Sequence, residues 1–205
     1  MRRGAIILCG GNSTRMGTAK ALLPFGPELM LERVVRLVGE VVPPDNIVVV
    51  AAQQQNLPKL PDGVLIARDA NENRGPLEGL AAGLHMLAER ADVVYATGCD
   101  VPLLVPAFIE RMFALLGGHA IAVPRDGKFY HPLAAVYRVS VLKHVQQLLA
   151  ADRLRPFFLF QELDTLEIPV VQLRQVDPNL ATLENLNCPE DYRKAFHAIG
   201  FNPPT

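Results

Sequence analysis

The residue types best suited to chemistry gather first in Leu8-Cys9-Gly10-Gly11-Asn12-Ser13-Thr14-Arg15-Met16-Gly17-Thr18-Ala19-Lys20, directly after the apolar run Ala5-Ile6-Ile7-Leu8. A strand that ends in a glycine-rich turn carrying Arg15 and Lys20 is a phosphate cradle. Glycines admit positive φ and let successive N–H groups converge on phosphate oxygens, and the two bases add charge. The spacing separates this loop from commoner phosphate loops. Lys20 lies between Ala19 and Ala21, without the Ser or Thr that follows the lysine of a Walker loop, and Gly10, Gly11 and Gly17 miss the Gly-x-Gly-x-x-Gly of a dinucleotide turn.

Asp100 closes the run Asp92-Val93-Val94-Tyr95-Ala96-Thr97-Gly98-Cys99. A carboxylate at the C-terminal end of a buried strand, near a phosphate cradle, is where Mg²⁺ is expected. That ion takes one or two carboxylates, keeps several waters and completes its shell with substrate phosphates. The other reading of Asp100 is a helix cap for the segment starting near Pro102 or Pro106. Asp69 also ends a strand and is a candidate second ligand, direct or through water, or a turn residue. With a nucleoside triphosphate in the cradle, an anionic acceptor attacks the α-phosphorus in line and pyrophosphate leaves, Arg15 and Lys20 offsetting the charge. Such chemistry needs no dedicated base, which agrees with a sequence offering no Ser/His/Asp or Cys/His constellation.

The elements that position these groups alternate. A strand at 5–8 leads through the loop to a helical period from Glu28 to Val42, then come strands at 46–51 and 64–67. A helix follows from Pro76 to Leu87, carrying Gly79 and Gly83 four apart on one face. Their spacing calls either for close approach of a ligand or another backbone, or for tight packing on the sheet. After the strand ending at Asp100 come a helix over 106–116, a strand over 120–123, a turn at 125–128 and a strand over 129–137. Helices at 140–150 and 156–162, the apolar Val170-Val171-Gln172-Leu173 and a last helix over 189–199 complete the chain. This alternation predicts an α/β fold with a mostly parallel central sheet whose ligands gather outside the strand C-termini.

At 205 residues, half of them apolar, the chain is sized for one domain, and a net charge of −1 without a basic block argues against nucleic acid. Cys9, Cys99 and Cys188 are odd in number and widely spaced, against a disulfide framework or a zinc site. The apolar run after Met1-Arg2-Arg3 is too short for a signal peptide or a membrane span, so a cytoplasmic protein without a membrane partner is expected.

The first loop, through Ala21-Leu22-Leu23-Pro24, resembles the signature of nucleotidyltransferases that activate small phosphates. With Arg74-Gly75-Pro76-Leu77-Glu78-Gly79-Leu80, Cys99-Asp100-Val101-Pro102, His131-Pro132 and Asn185-Leu186-Asn187-Cys188-Pro189-Glu190-Asp191, the chain resembles, over nearly its full length, the molybdenum cofactor guanylyltransferases. The resemblance implies a three-layer, Rossmann-like nucleotidyltransferase fold, with a nucleotide half at about 1–104 and an acceptor-side half at about 105–205. It implies transfer of GMP from GTP to the phosphate of molybdopterin, with Mg²⁺ on Asp100, and association with molybdoenzyme-assembly proteins. Leu8, Gly10, Gly11, Lys20, Asp69, Gly75, Pro76 and Gly79 would border the nucleotide, and Arg15, Lys20 and Asp100 would carry the chemistry. His131, Arg155, Asn185 and Asn187 would face the acceptor, although His131 also suits a structural hydrogen bond, Asn185 and Asn187 a loop cap, and Arg153 and Arg155 a solvated helix face.

One departure stands out. The family places an Asn near the guanine edge just beyond the second strand, where this chain has Ala51-Ala52-Gln53-Gln54-Gln55. The alternatives are therefore cytidylyl transfer to molybdopterin, activation of a sugar or organic phosphate, or a non-catalytic nucleotide-binding accessory protein.

Overall fold

In the computed structural model, residues 1–9, 19–69 and 74–201 are described. Along the chain lie β1 (Arg3–Leu8), the short β2 (Pro24–Phe25) and β3 (Glu28–Leu29), α1 (Met30–Gly39), β4 (Ile47–Ala52), β5 (Leu65–Asp69), α2 (Pro76–Met86) and β6 (Val93–Gly98). They are followed by α3 (Pro106–Leu115), β7 (Ile121–Asp126), β8 (Phe129–Tyr130), β9 (Ala134–Arg138), α4 (Leu142–Ala150), α5 (Phe157–Glu162), β10 (Thr165–Pro169) and α6 (Pro189–Ala198).

The main sheet has the order β5-β4-β1-β6-β9-β7-β10, with β8 attached to β7. Its β1–β4, β4–β5, β1–β6 and β7–β10 pairs are parallel, and β9 runs against both β6 and β7. The chain travels outward from β1 to β4 and β5, then returns to the other side of β1 as β6. Such a reversal opens a crevice beyond the carboxyl ends of the strands. Here Leu8 is in register with Val50 on one side and Gly98 on the other, so the segments after β1 and β6 leave the sheet side by side.

Alternation along each strand makes the layers. Ala5, Ile7, Ile47, Val49, Val93 and Tyr95 face α1 and α3, while Ile6, Leu8, Val48, Val50, Val94 and Ala96 face α2, α4 and α5. Strands buried on both faces read as continuous apolar runs, which is the pattern of β1 and β4. The result is the expected three-layer arrangement of helices on both sides of a mostly parallel sheet. Among the described residues no helix is long and apolar enough to cross a membrane.

Two expected elements differ. The helix expected over 28–42 spans Met30–Gly39, because Glu28 and Leu29 pair antiparallel with Phe25 and Pro24 and the Glu32 carboxylate accepts the Leu29 N–H at 2.9 Å, marking the helix start. The strand expected over 129–137 is broken between β8 and β9, at the turn containing Pro132, which has no N–H to give a ladder. Val170-Val171-Gln172-Leu173, given no element from the sequence, lies in a 3-10 segment, and before it comes the edge strand β10, parallel to β7 and ended by Pro169.

The glycine pair of α2 is explained by packing on β1. A Cβ at Gly83 would stand 2.6 Å from Ile6 Cγ2, and one at Gly79 would stand 3.0 Å from Leu8 Cδ2. The helix thus lies directly on the strand that leads into the glycine-rich loop. Gly39, the last residue of α1, has open space around the same position. Gly83→Ala is expected to lower the urea midpoint, because overpacking costs about 1–3 kcal/mol against a helix gain of about 1 kcal/mol. Gly39→Ala leaves the midpoint unchanged or raises it, and equal midpoints for the two variants would refute the packing account.

Candidate active site

Three segments distant in sequence meet at the crevice between β1 and β6. The Lys20 Nζ donates to Asp100 Oδ2 at 2.8 Å and to Asn187 Oδ1 at 3.0 Å. Both side chains of the ion pair are 17% exposed, so the charges are partly withdrawn from water while still reachable by a ligand. An ammonium carries three donors and no acceptor, and two of them are used here.

Each partner is placed by its own local structure. Lys20 opens a single 3-10 turn, Lys20–Leu22, whose Ala21 is buried against the sheet. The β2–β3 ribbon that follows holds Phe25 in a small core with Met30, Leu186, Tyr192, Ala195 and Phe196, and the Tyr192 hydroxyl donates to the Pro24 carbonyl. Asp100 leaves β6 after Cys99, whose N–H donates to the Leu8 carbonyl at 3.0 Å. The Asp100 carbonyl accepts the Leu186 N–H at 2.9 Å, and Arg33 of α1 donates through Nε to the Pro102 carbonyl at 2.7 Å. Asn187 is steadied by Asp191 in the first turn of α6, whose carboxylate accepts the Asn187 and Cys188 N–H groups at 3.0 and 3.1 Å. Hydrogen bonds from Cys188 and the Asn187 backbone lower the Asp191 pKa below the usual carboxylate range.

The donor set fits a hard divalent cation. Asp100 already neutralises a cation, the Lys20 ammonium, and offers oxygen rather than sulfur or nitrogen, as Mg²⁺ requires. Among the described residues no three His, Cys, Asp or Glu side chains gather to form an all-protein metal cage. An ion here would draw on substrate oxygens and water for most of its shell. Asp69 is poorly placed to share such an ion. It closes β5 in register with Ala52 of β4, three strands from β6, roughly 14 Å at ~4.8 Å per strand.

The other residues expected at a site fall into four groups. Leu8 and Gly79 pack on each other below the crevice, and Gly75 takes φ +76° just before Pro76 opens α2, a backbone shape that favours glycine. His131 lies beyond the N-terminal end of β9, whose Ala134 faces Thr97 of β6, and so at the same end of the sheet as Asp100. Its backbone is a turn, donating to the Pro124 carbonyl and accepting from Ala134, and burial pushes the imidazole pKa down against the opposing pull of Asp126. Arg155 and Asn185 are exposed and make no side-chain hydrogen bond or ion pair among the described residues, whereas Arg153 pairs with Glu162 and covers the Phe158 ring at 4.2 Å. Gly10, Gly11 and Arg15 lie outside the described residues.

Two contacts near the crevice were not foreseen from the sequence. The Arg74 guanidinium reaches the Leu149 carbonyl at 2.7 Å and Asp152 at 3.3 Å, tying the turn before α2 to the end of α4. Gln55 spans two strand ends: its Nε2 donates to the Cys9 carbonyl at 3.1 Å and its Oε1 accepts the Ala52 N–H at 3.2 Å. Spacing alone does not reveal either bridge.

Residues 5–166 match the family described as MobA-like NTP transferase domain. The molybdenum cofactor guanylyltransferase of Rhodobacter capsulatus is 32% identical over 211 residues, covering all of both chains. A Methanosarcina acetivorans protein named "Probable molybdenum cofactor guanylyltransferase" is 33% identical over 211 residues, covering 96% of this chain and 91% of its own. In fold, the chain is similar to the crystal structure of molybdopterin-guanine dinucleotide biosynthesis protein A from Archaeoglobus fulgidus, with a TM-score of 0.76, 19% identity and coverage of 97% and 98% of the two chains. With the match spanning most of its sheet and both sides of the crevice, the chain belongs to the MobA-like NTP transferase family.

Proposed function

We propose that this protein transfers GMP from GTP to the phosphate of molybdopterin and releases pyrophosphate. The observation that carries this reading is the meeting of Lys20, Asp100 and Asn187 at the switch point of the sheet, where a fold of this kind binds its ligand. The names of the relatives point to the same donor and acceptor.

The chain's own residues supply positioning and charge. The loop after β1 receives the triphosphate, with Leu8, Gly10, Gly11, Asp69, Gly75, Pro76 and Gly79 bordering the nucleotide. Asp100 would hold Mg²⁺, which when bound would offset the negative charge of the phosphates. Lys20, released from Asp100 but still within reach of Asn187, turns its free donors to phosphate oxygens, and Arg15 shares that task. The acceptor phosphate needs no base because it attacks as an anion. The acceptor approaches from the half that begins at about residue 105, where His131, Arg155 and Asn185 stand. A cytoplasmic setting fits three free thiols, Cys9, Cys99 and Cys188.

Pyrophosphate release from GTP, Mg²⁺ and molybdopterin tests the reaction. Lys20→Ala and Asp100→Ala are each expected to lower kcat by about 10²–10³-fold with the circular-dichroism spectrum unchanged. Turnover at the wild-type rate in either variant removes that residue from the mechanism. Base choice is separable by thermal shift in Mg²⁺: a ligand at 100 times its Kd stabilises the folded state by about 2.7 kcal/mol. GTP is expected to raise the melting temperature more than CTP at equal concentration, and the opposite order would favour cytidylyl transfer.

A further inference from the structure

A glycine in a fully buried strand asks for a physical reason, because it packs nothing and loses more entropy on folding than any other residue. Gly98 ends β6, paired with Leu8 of β1, and its backbone is not left-handed. A Cβ added there would lie 2.5 Å from Asp100 Oδ1, and the next two nearest atoms, at 3.6 and 3.8 Å, also belong to Asp100. The Asp100 carboxylate is therefore folded back over the end of its own strand. One oxygen rests in the space a side chain at 98 would fill, and the other holds Lys20 at 2.8 Å.

We propose that Gly98 is a positioning residue for the metal-binding carboxylate: its missing side chain is the seat that aims Asp100 into the crevice. The inference rests on the assignment of Asp100 to the metal made above and deepens it. Gly98 is held in register by Leu8 of β1, and the preceding Thr97 is also held by Ala134 of β9, which leaves the backbone little room to yield to an added methyl group. The carboxylate is the end of a rotatable side chain and gives way instead. Gly98→Ala thus leaves the fold in place and turns Asp100 off its seat, breaking its alignment with Lys20 and with any ion shared with the triphosphate.

The test uses four full-length proteins: wild type, Gly98→Ala, Asp100→Ala and the double variant. Thermal melts without metal or nucleotide read the contact itself through a double-mutant cycle. Gly98→Ala is expected to be worse tolerated in wild type than in the Asp100→Ala protein, the two melting-temperature changes differing by about 2–4 °C. Titration of Mn²⁺ in the presence of GTP, followed by electron paramagnetic resonance, reads the aim. Gly98→Ala is expected to weaken Mn²⁺ at least tenfold, and to add nothing once Asp100 is Ala.

Equal melting changes in the two backgrounds overturn the seat. If Asp100→Ala weakens Mn²⁺ but Gly98→Ala does not, the positioning role fails while the metal assignment stands. If Asp100→Ala leaves Mn²⁺ binding unchanged, the metal assignment itself fails and this inference falls with it.

Discussion

The contact on which the site depends is the ion pair between Lys20 and Asp100. It joins the segment after the first strand to the segment after the sixth, and it forms because β1 and β6 are neighbours in register, Leu8 opposite Gly98. A carboxylate half-withdrawn from water is costly without a partner, and removing either member of such a pair strands the other. Solvent access keeps the energy modest here, as for most pairs that water can still reach. Its importance lies in geometry: the pair places the Asp100 carboxylate where a cation is already welcome.

A second constraint keeps the first in place. The cluster of Phe25, Met30, Leu186, Tyr192 and Phe196 stands apart from the two large core halves and joins the chain's early ribbon to its last helix. Phe25 packs edge-on with Phe196 at 4.8 Å and with Tyr192 at 6.2 Å, and such pairs add about 0.5–1.5 kcal/mol beyond their burial. Through this cluster the Asn187 loop is brought back to the residues following Lys20. The loop is further fixed from both sides, by the Asp100 carbonyl on Leu186 and by the Asp191 carboxylate on Asn187 and Cys188. A C-terminal helix thereby becomes part of a site whose other members lie in the first half of the chain.

Much of this was visible in the sequence, for physical reasons. The continuous apolar runs of β1, β4 and β6 announce strands buried on both faces, and helices between them require a mostly parallel sheet. The Asp after β6 and the bases after β1 follow from where such sheets keep their ligands. What stayed hidden was local or tertiary. A two-residue ribbon, Pro24–Phe25 with Glu28–Leu29, is too short to leave a period and sits inside an apparent helix start. The edge strand Thr165–Pro169 carries charge and proline, as edges do, and so reads as loop. Gly79 and Gly83 presented a true signal with two causes, and only the positions of Ile6 and Leu8 decide for packing. The link between Asn187 and Lys20 spans 167 positions, beyond the reach of any spacing rule.

Gln55 shows how the same limits bear on specificity. In a family that keeps an Asn near the guanine edge, a run of three glutamines invites the view that one of them replaces it. The structure commits one donor and one acceptor of the Gln55 amide to backbone, bridging the Cys9 carbonyl and the Ala52 N–H where β1 and β4 end. Arg68 closes the same corner, donating to the Ala52 and Gln55 carbonyls at 2.9 and 2.8 Å. A side chain so engaged orients the exit of β1, and with it the entry to the glycine-rich loop, instead of reading a base edge with its full hydrogen-bonding capacity. Gln53 and Gln54, both exposed, make no such bridge. The groups this corner leaves for a base edge are therefore those two amides, the second N–H and lone pair of Gln55, and the backbone, and a backbone reader would set its pattern through the fold of the loop rather than through the identity of a side chain.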